Sequence, residues 1–177
     1  MAGKLTAKVL VLGALALALP GVGTANATAA DDPASARAAT AGFHRIAAAE
    51  DAGYGLFTDA DGIACIDKPG SGAMGVHFVN GGNVDAVIDA TLPEALIYEP
   101  TRDGRMRLVG VEYVVIKEVW DATHTSRPSL FGQQFEETGA VNRYGLPPFY
   151  SLHAWIWKHN PAGMLADWNP EVSCAYA

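Results

Sequence analysis

Four stretches dominated by apolar residues, separated by turns rich in Gly, Pro, Asn and Asp, predict β-strands. They comprise residues 73–80, 95–99, 105–119 and 149–158. The third stretch contains LVGVEYVVI, which is apolar on both faces of a strand and therefore indicates a central position in a sheet. The turn sequence TRDG at residues 101–104 joins the second and third strands as a hairpin, so the sheet is predicted to be mainly antiparallel.

An Ala-rich segment before the strands, residues 33–52, predicts one N-terminal helix. Asp32 is a suitable N-cap, Pro33 fits the first helical position, and Gly53 is a suitable residue just beyond the C-terminus. Apolar residues recur every three or four positions, which places them on one face of the helix. A second, short helix is predicted at residues 129–135.

This order of elements predicts an α+β fold, with the N-terminal helix packed on a curved, mainly antiparallel sheet. A small β-barrel is the alternative arrangement of the same strands.

The first residues have the features of a secretory signal peptide. Two lysines precede an apolar run at residues 9–19, and small residues end at Ala27. The run is too short to span a bilayer, which takes about 20 residues, although a retained membrane anchor is the alternative. The predicted organisation is a signal peptide, a polar lead with the start of the helix, and one globular domain, at residues 1–27, 28–42 and 43–177.

Composition limits the classes of partner. The chain has 177 residues, of which 50% are hydrophobic, so it is long and apolar enough for one folded domain. Lys and Arg total 12 against 19 Asp and Glu, which gives a formal net charge of -7. This acidic balance argues against nucleic acid as a partner, because binding to phosphates requires clustered basic residues. No membrane partner is expected once the signal peptide is removed.

The two cysteines, Cys65 and Cys174, predict one disulfide, since the signal peptide directs the chain to an oxidising compartment. Two free thiols or two metal ligands are the alternatives. The predicted location is therefore secreted or otherwise extracytoplasmic.

Three residues near the middle of predicted strands are candidates for chemistry, namely His77, Glu112 and His153. Glu112 shares its strand face with apolar side chains, so its carboxyl group should be protonated, paired or bound. If the three strands lie side by side, the three side chains converge. Two imidazoles and one carboxylate suit zinc, copper or iron.

His44, on the shoulder of the predicted helix face, is a fourth candidate ligand, and Glu99 is a weaker one. The alternative for Glu112 is an ordinary ion pair with Arg107 or Arg143. Two functions therefore remain open. One is an extracytoplasmic domain, catalytic or not, that binds a metal or small ligand. The other is a non-catalytic module for interaction or structural support.

Several segments resemble a family of uncharacterised secreted bacterial proteins. The most specific is the C-terminal pattern LHxWxWxxNPxG followed by WNPxVSC, and the similarity runs from about Phe43 to Cys174. The resemblance implies a secreted protein, and it carries no assigned activity, cofactor or fold. His44, His77, Glu112 and His153 all lie inside the similar segments.

Overall fold

The computed structural model describes residues 32–177, so the predicted signal peptide lies outside the described residues. The strands are β1 Gly55–Leu56, β2 Cys65–Lys68, β3 Gly72–Val79, β4 Ala95–Pro100, β5 Met106–Ile116, β6 Ser129–Leu130, β7 Gln133–Gln134, β8 Glu136–Thr138 and β9 Phe149–Ala154. The helices are α1 Pro33–Thr40, α2 Ile46–Asp51 and α3 Lys117–Asp121, with a 3-10 helix at Ala41–His44.

Seven strands form one antiparallel sheet in the order β1-β3-β4-β5-β9-β8, with β2 also paired to β3. Among the described residues the end strands β1 and β8 do not pair with each other, so the sheet is open. The alternative of a small barrel is therefore wrong. Strand β5 lies between β4 and β9, which confirms the central position that its apolar sequence predicted.

The predicted strands match β3, β4, β5 and β9, but other local assignments were wrong. Residues 129–135 contain the β6–β7 hairpin, in which Phe131 and Gly132 both have positive φ, and not a helix. The last residues of the predicted third strand belong to helix α3. The short strands β2 and β8 were not predicted, because the sequences CIDK and EET contain too few apolar residues to form a strand pattern, although β2 pairs with β3 across the short turn between Lys68 and Gly72.

Helical residues at the N-terminus fall into three short segments where one continuous helix was predicted. Asp32 accepts a hydrogen bond from the backbone N–H of Ala34, as an N-cap does. The helical path is interrupted at Arg45, whose φ of -96° and ψ of 111° are extended. Beyond α2, Gly53 adopts a φ of 90°, the left-handed conformation that glycine accepts readily.

The two faces of the sheet have different coverings. On one face the buried side chains of the central strands pack with Ala36 and Ala49 of the helical segments. Side chains alternate between the two faces along a strand, so the residues next to these core residues in sequence point to the opposite face. They include His77, Glu112 and His153. That second face carries the candidate chemistry.

A disulfide joins Cys65 to Cys174, which confirms the predicted pairing. It attaches the C-terminal tail, residues 155–177, to β2. The tail also pairs with β3 through a bridge between Ala73 and Asn169. A disulfide is typical of an oxidising, extracytoplasmic compartment. None of the helices in residues 32–177 has the length and apolarity that a bilayer crossing requires.

Candidate metal centre

The sheet register places the three candidate residues on one face. Glu112 of β5 lies directly opposite His153 of β9. On its other side Glu112 faces Ala95 of β4, and β4 separates β5 from β3, which carries His77. The three strands are therefore not all direct neighbours, because β4 lies between β3 and β5. His77 lies opposite Ile97 of β4, two residues along the strand from Ala95, so its imidazole approaches the carboxylate diagonally across β4.

The functional atoms of the three side chains lie close together. One potential ligand atom from each of His77, Glu112 and His153 lies within 4.8 Å of the other two. The distance from His77 Nε2 to Glu112 Oε2 is 3.4 Å, and that from His153 Nδ1 to Glu112 Oε1 is 3.8 Å. The two imidazole rings are nearly perpendicular, with 5.7 Å between their centroids. Separations of this size are compatible with ligands of a single ion, since bonds to zinc are about 2.0–2.2 Å long.

His153 is the least satisfied polar side chain of the cluster. It is 2% exposed, and neither ring nitrogen makes a hydrogen bond of ordinary length in residues 32–177, because the carboxylate oxygens nearest to Nδ1, on Asp167 and Glu112, are 3.6 and 3.8 Å away. A buried polar group without a partner is costly, roughly 1–3 kcal/mol. A metal ion bound by one of these nitrogens would give that nitrogen a partner, so the donor set fits a metal in its chemistry and in one unmet bond.

The electrostatics of the two imidazoles differ. Burial lowers the pKa of His77 to about 4, which more than offsets the opposing effect of Glu112. His77 is therefore neutral at pH 7 and has a free lone pair, as metal binding requires. Burial also acts to lower the pKa of His153, but the nearby carboxylates outweigh it, with Glu112 contributing most, and the pKa of His153 is raised.

The fourth predicted ligand, His44, does not join the cluster. It is exposed, and its ring contacts Trp157 at a centroid distance of 4.4 Å. Trp157 packs against the core on the helix-covered face of the sheet. His44 is therefore on the opposite side of the sheet from His77 and His153, and it lies outside their cluster.

The alternative ion pairs for Glu112 are also absent among the described residues, because both arginines have other partners. Arg107 binds Glu99, and Arg143 donates from Nε and Nη2 to Asp59 Oδ2 at 3.0 and 2.6 Å. Glu112 instead faces two imidazoles.

Two further residues near the cluster were not recognised as site residues from the sequence. Asp167, in the tail, has its Oδ1 3.6 Å from His153 Nδ1. Contact with His153 holds the pKa of Asp167 below its ordinary value. Tyr144, in the loop before β9, directs its hydroxyl to the sulfur of Met74 at 3.8 Å. Both residues lie in loops, where no periodic pattern predicts a position.

An apolar cavity of about 190 Å³ lies beside the cluster, with His77 and Glu112 in its wall. The rest of the lining is aliphatic and aromatic, and comprises Phe57, Val79, Val84, Val114, Ile116, Tyr144, Leu146 and Phe149. A smaller and more polar cavity of about 70 Å³ adjoins His153 and includes Glu136 and Asp167. The cluster thus lies between an apolar space and an acidic one.

Comparison with known proteins adds no assignment, because no family model, curated protein or solved structure matches the chain. The resemblance to secreted bacterial proteins stays a prediction. The functional argument therefore depends on the geometry of the cluster.

Proposed function

We propose that this protein binds one divalent transition-metal ion through His77, Glu112 and His153. The observation that carries the proposal is the juxtaposition of three potential ligand atoms within 4.8 Å of one another, one of them on a buried imidazole whose nitrogens make no hydrogen bond in the part of the chain that the structure describes. We also propose that the protein is exported. The predicted signal peptide and the Cys65–Cys174 disulfide support export.

The donor set narrows the class of ion. Two imidazoles and one carboxylate form the ligand set of several catalytic zinc sites and of non-haem iron(II) oxygenases, and imidazole also suits copper. Hard ions such as calcium and magnesium prefer an all-oxygen set, so they are not expected here. Zinc, copper and iron(II) are therefore the ions to test.

Three protein ligands leave at least one coordination position for water or another ligand. A bound divalent ion in such a site lowers the pKa of water or polarises a ligand oxygen. The chain contributes the orientation of the ligands from three strands and an adjoining apolar space. Both features suit a ligand-binding or catalytic centre, whereas purely structural zinc sites are closed by four protein ligands.

The test is elemental analysis of protein that was exported with its own signal peptide and purified without chelator. We expect close to one equivalent of a single transition metal per chain, and a lower melting temperature after chelation, because an ion that binds only the folded state stabilises it. His77→Ala and His153→Ala should lose the metal and the response to chelator. His44→Ala is the matched control, and it should retain both because His44 lies on the other side of the sheet.

The proposal is overturned if wild-type protein contains no stoichiometric metal, takes up none of the three ions when titrated, and melts at the same temperature with and without chelator. Retention of full metal content by His153→Ala would equally remove His153 from the site.

A further inference from the structure

We propose that the 190 Å³ cavity binds a compact aromatic molecule with one monoanionic oxygen donor, oriented so that the donor reaches the metal centre. This inference rests on the proposed metal site and specifies the ligand that the site accepts. A monocyclic aromatic carboxylate, phenolate or hydroxamate has the required chemistry.

The size of the cavity matches about one aromatic ring. Apolar cavities of about 150 Å³ are large enough for benzene. The space here, about 190 Å³, therefore has room for one aromatic ring with a small substituent.

The walls favour an aromatic ring. The ring of Tyr144 lies 6.0 Å from that of Phe57 and 6.0 Å from that of Phe149, measured between centroids and with tilted planes in both pairs. Tilted aromatic pairs at 4.5–7 Å are favourable, so a ligand ring that enters this set gains contacts beyond simple burial of apolar area. Val114 and Ile116 of β5 complete the wall.

The distribution of charge determines where the polar end of the ligand lies. The cavity lining contains no Lys or Arg among the described residues, and Arg143 of the neighbouring loop is paired with Asp59. An anionic group could therefore be neutralised only at the end formed by His77 and Glu112, where the ion would lie. A divalent ion with two neutral imidazoles and one carboxylate carries a net charge of +1, which matches one monoanionic donor.

Calorimetric titration of the zinc-loaded protein with benzohydroxamate and with acetohydroxamate tests the inference. Both probes present the same metal-binding group, but only benzohydroxamate has a ring. We expect benzohydroxamate to bind roughly 10- to 100-fold more tightly, from burial of the ring. Val84→Trp, which fills the cavity from a half-buried loop position, should abolish this preference without loss of zinc. Leu146→Trp is a second variant of the same kind if the first does not fold.

Val87→Trp is the matched control, since Val87 is in the same loop but 64% exposed and outside the cavity lining. It should keep the preference for benzohydroxamate. Zinc content is measured in every variant. If wild-type protein binds zinc but binds both hydroxamates equally, or if Val84→Trp and Leu146→Trp leave the preference unchanged, the cavity is not the ligand site and the metal site stands. If wild-type protein binds no zinc, the metal site and this inference both fail.

Discussion

Glu99 and Glu112 lie on adjacent strands, and both are largely buried, yet their surroundings differ in charge. Lys158 Nζ lies 3.0 Å from each carboxylate oxygen of Glu99, Arg107 also binds it, and the backbone N–H of Ser173 donates to it. Glu112 has two imidazoles as its neighbours, and no Lys or Arg lies within ion-pair distance of it in residues 32–177.

The difference separates a structural ion pair from a candidate binding site. Burial acts to raise the pKa of Glu99, but its hydrogen bonds with Arg107 and Lys158 outweigh burial, and the pKa of Glu99 is lowered. The charge of Glu99 is thus balanced by the protein itself. Around Glu112 the nearest groups that can carry a positive charge are imidazoles, chiefly His153, whose pKa Glu112 helps to raise, and a metal cation bound by them would take over that role.

The largest expected effect concerns the tail next to Glu99. The disulfide closes a loop with a sequence separation of 109, and Cys174 follows Ser173, which donates to Glu99. Cys65→Ser/Cys174→Ser should lose roughly 4–5 kcal/mol of unfolding free energy, because the unfolded chain regains its loop entropy. Urea unfolding measures the loss. At urea concentrations below the unfolding transition, the affinity for zinc should change little. A large loss of zinc affinity would show that the tail also maintains the metal centre.

A third buried glutamate, Glu94, sharpens the comparison because it has no cationic partner in the described residues. It is 2% exposed, and the backbone N–H of Val114 donates to it at 2.9 Å. Burial raises the pKa of Glu94 to about 8. The folded state therefore holds a proton that the unfolded state releases above its ordinary pKa of 4.5, so stability falls as the pH rises between these values.

Between pH 5 and pH 8 the titration of Glu94 should lower the free energy of unfolding by roughly 3 kcal/mol. The Glu94→Gln variant has no carboxyl group at this position, so its free energy of unfolding should not show this part of the decrease as the pH rises. The check is urea unfolding of metal-free protein at a series of pH values, with the difference between wild type and variant isolating Glu94 from His77 and His153. Parallel pH curves for the two proteins would show that Glu94 does not titrate in this range.

Substitution of Glu112 and of Glu99, each by Gln, should separate the roles of the two residues. The expected effects are smaller than those of the two preceding predictions. Glu112→Gln should weaken zinc affinity more than about 100-fold, beyond the usual effect of changing a supporting residue. Glu99→Gln should leave zinc affinity unchanged and lose about 1–3 kcal/mol of stability, the value of hydrogen bonds to a charged group. Zinc titration and urea unfolding are both needed. Equal effects of the two substitutions in both measurements would remove the distinction.

The sequence predicted much of the sheet because strand patterns are local. The apolar run around Val111 indicated a central strand, and β5 occupies that position. His77, Glu112 and His153 were singled out because a polar residue in mid-strand on an apolar face requires a partner. The location of His44 could not be predicted, because the helical period gives a face of the helix but not the side of the sheet on which the helix packs.

The amino-acid sequence by itself determined the main strands, the disulfide partners and the residue types available for chemistry, since these follow from local patterns and from the number of cysteines. Tertiary structure alone decided that β9 pairs with β5, that Arg107 and Arg143 bind other carboxylates, and that an apolar cavity adjoins the cluster. The physical reason is that strand order and loop packing depend on contacts between distant segments. No local propensity encodes such contacts.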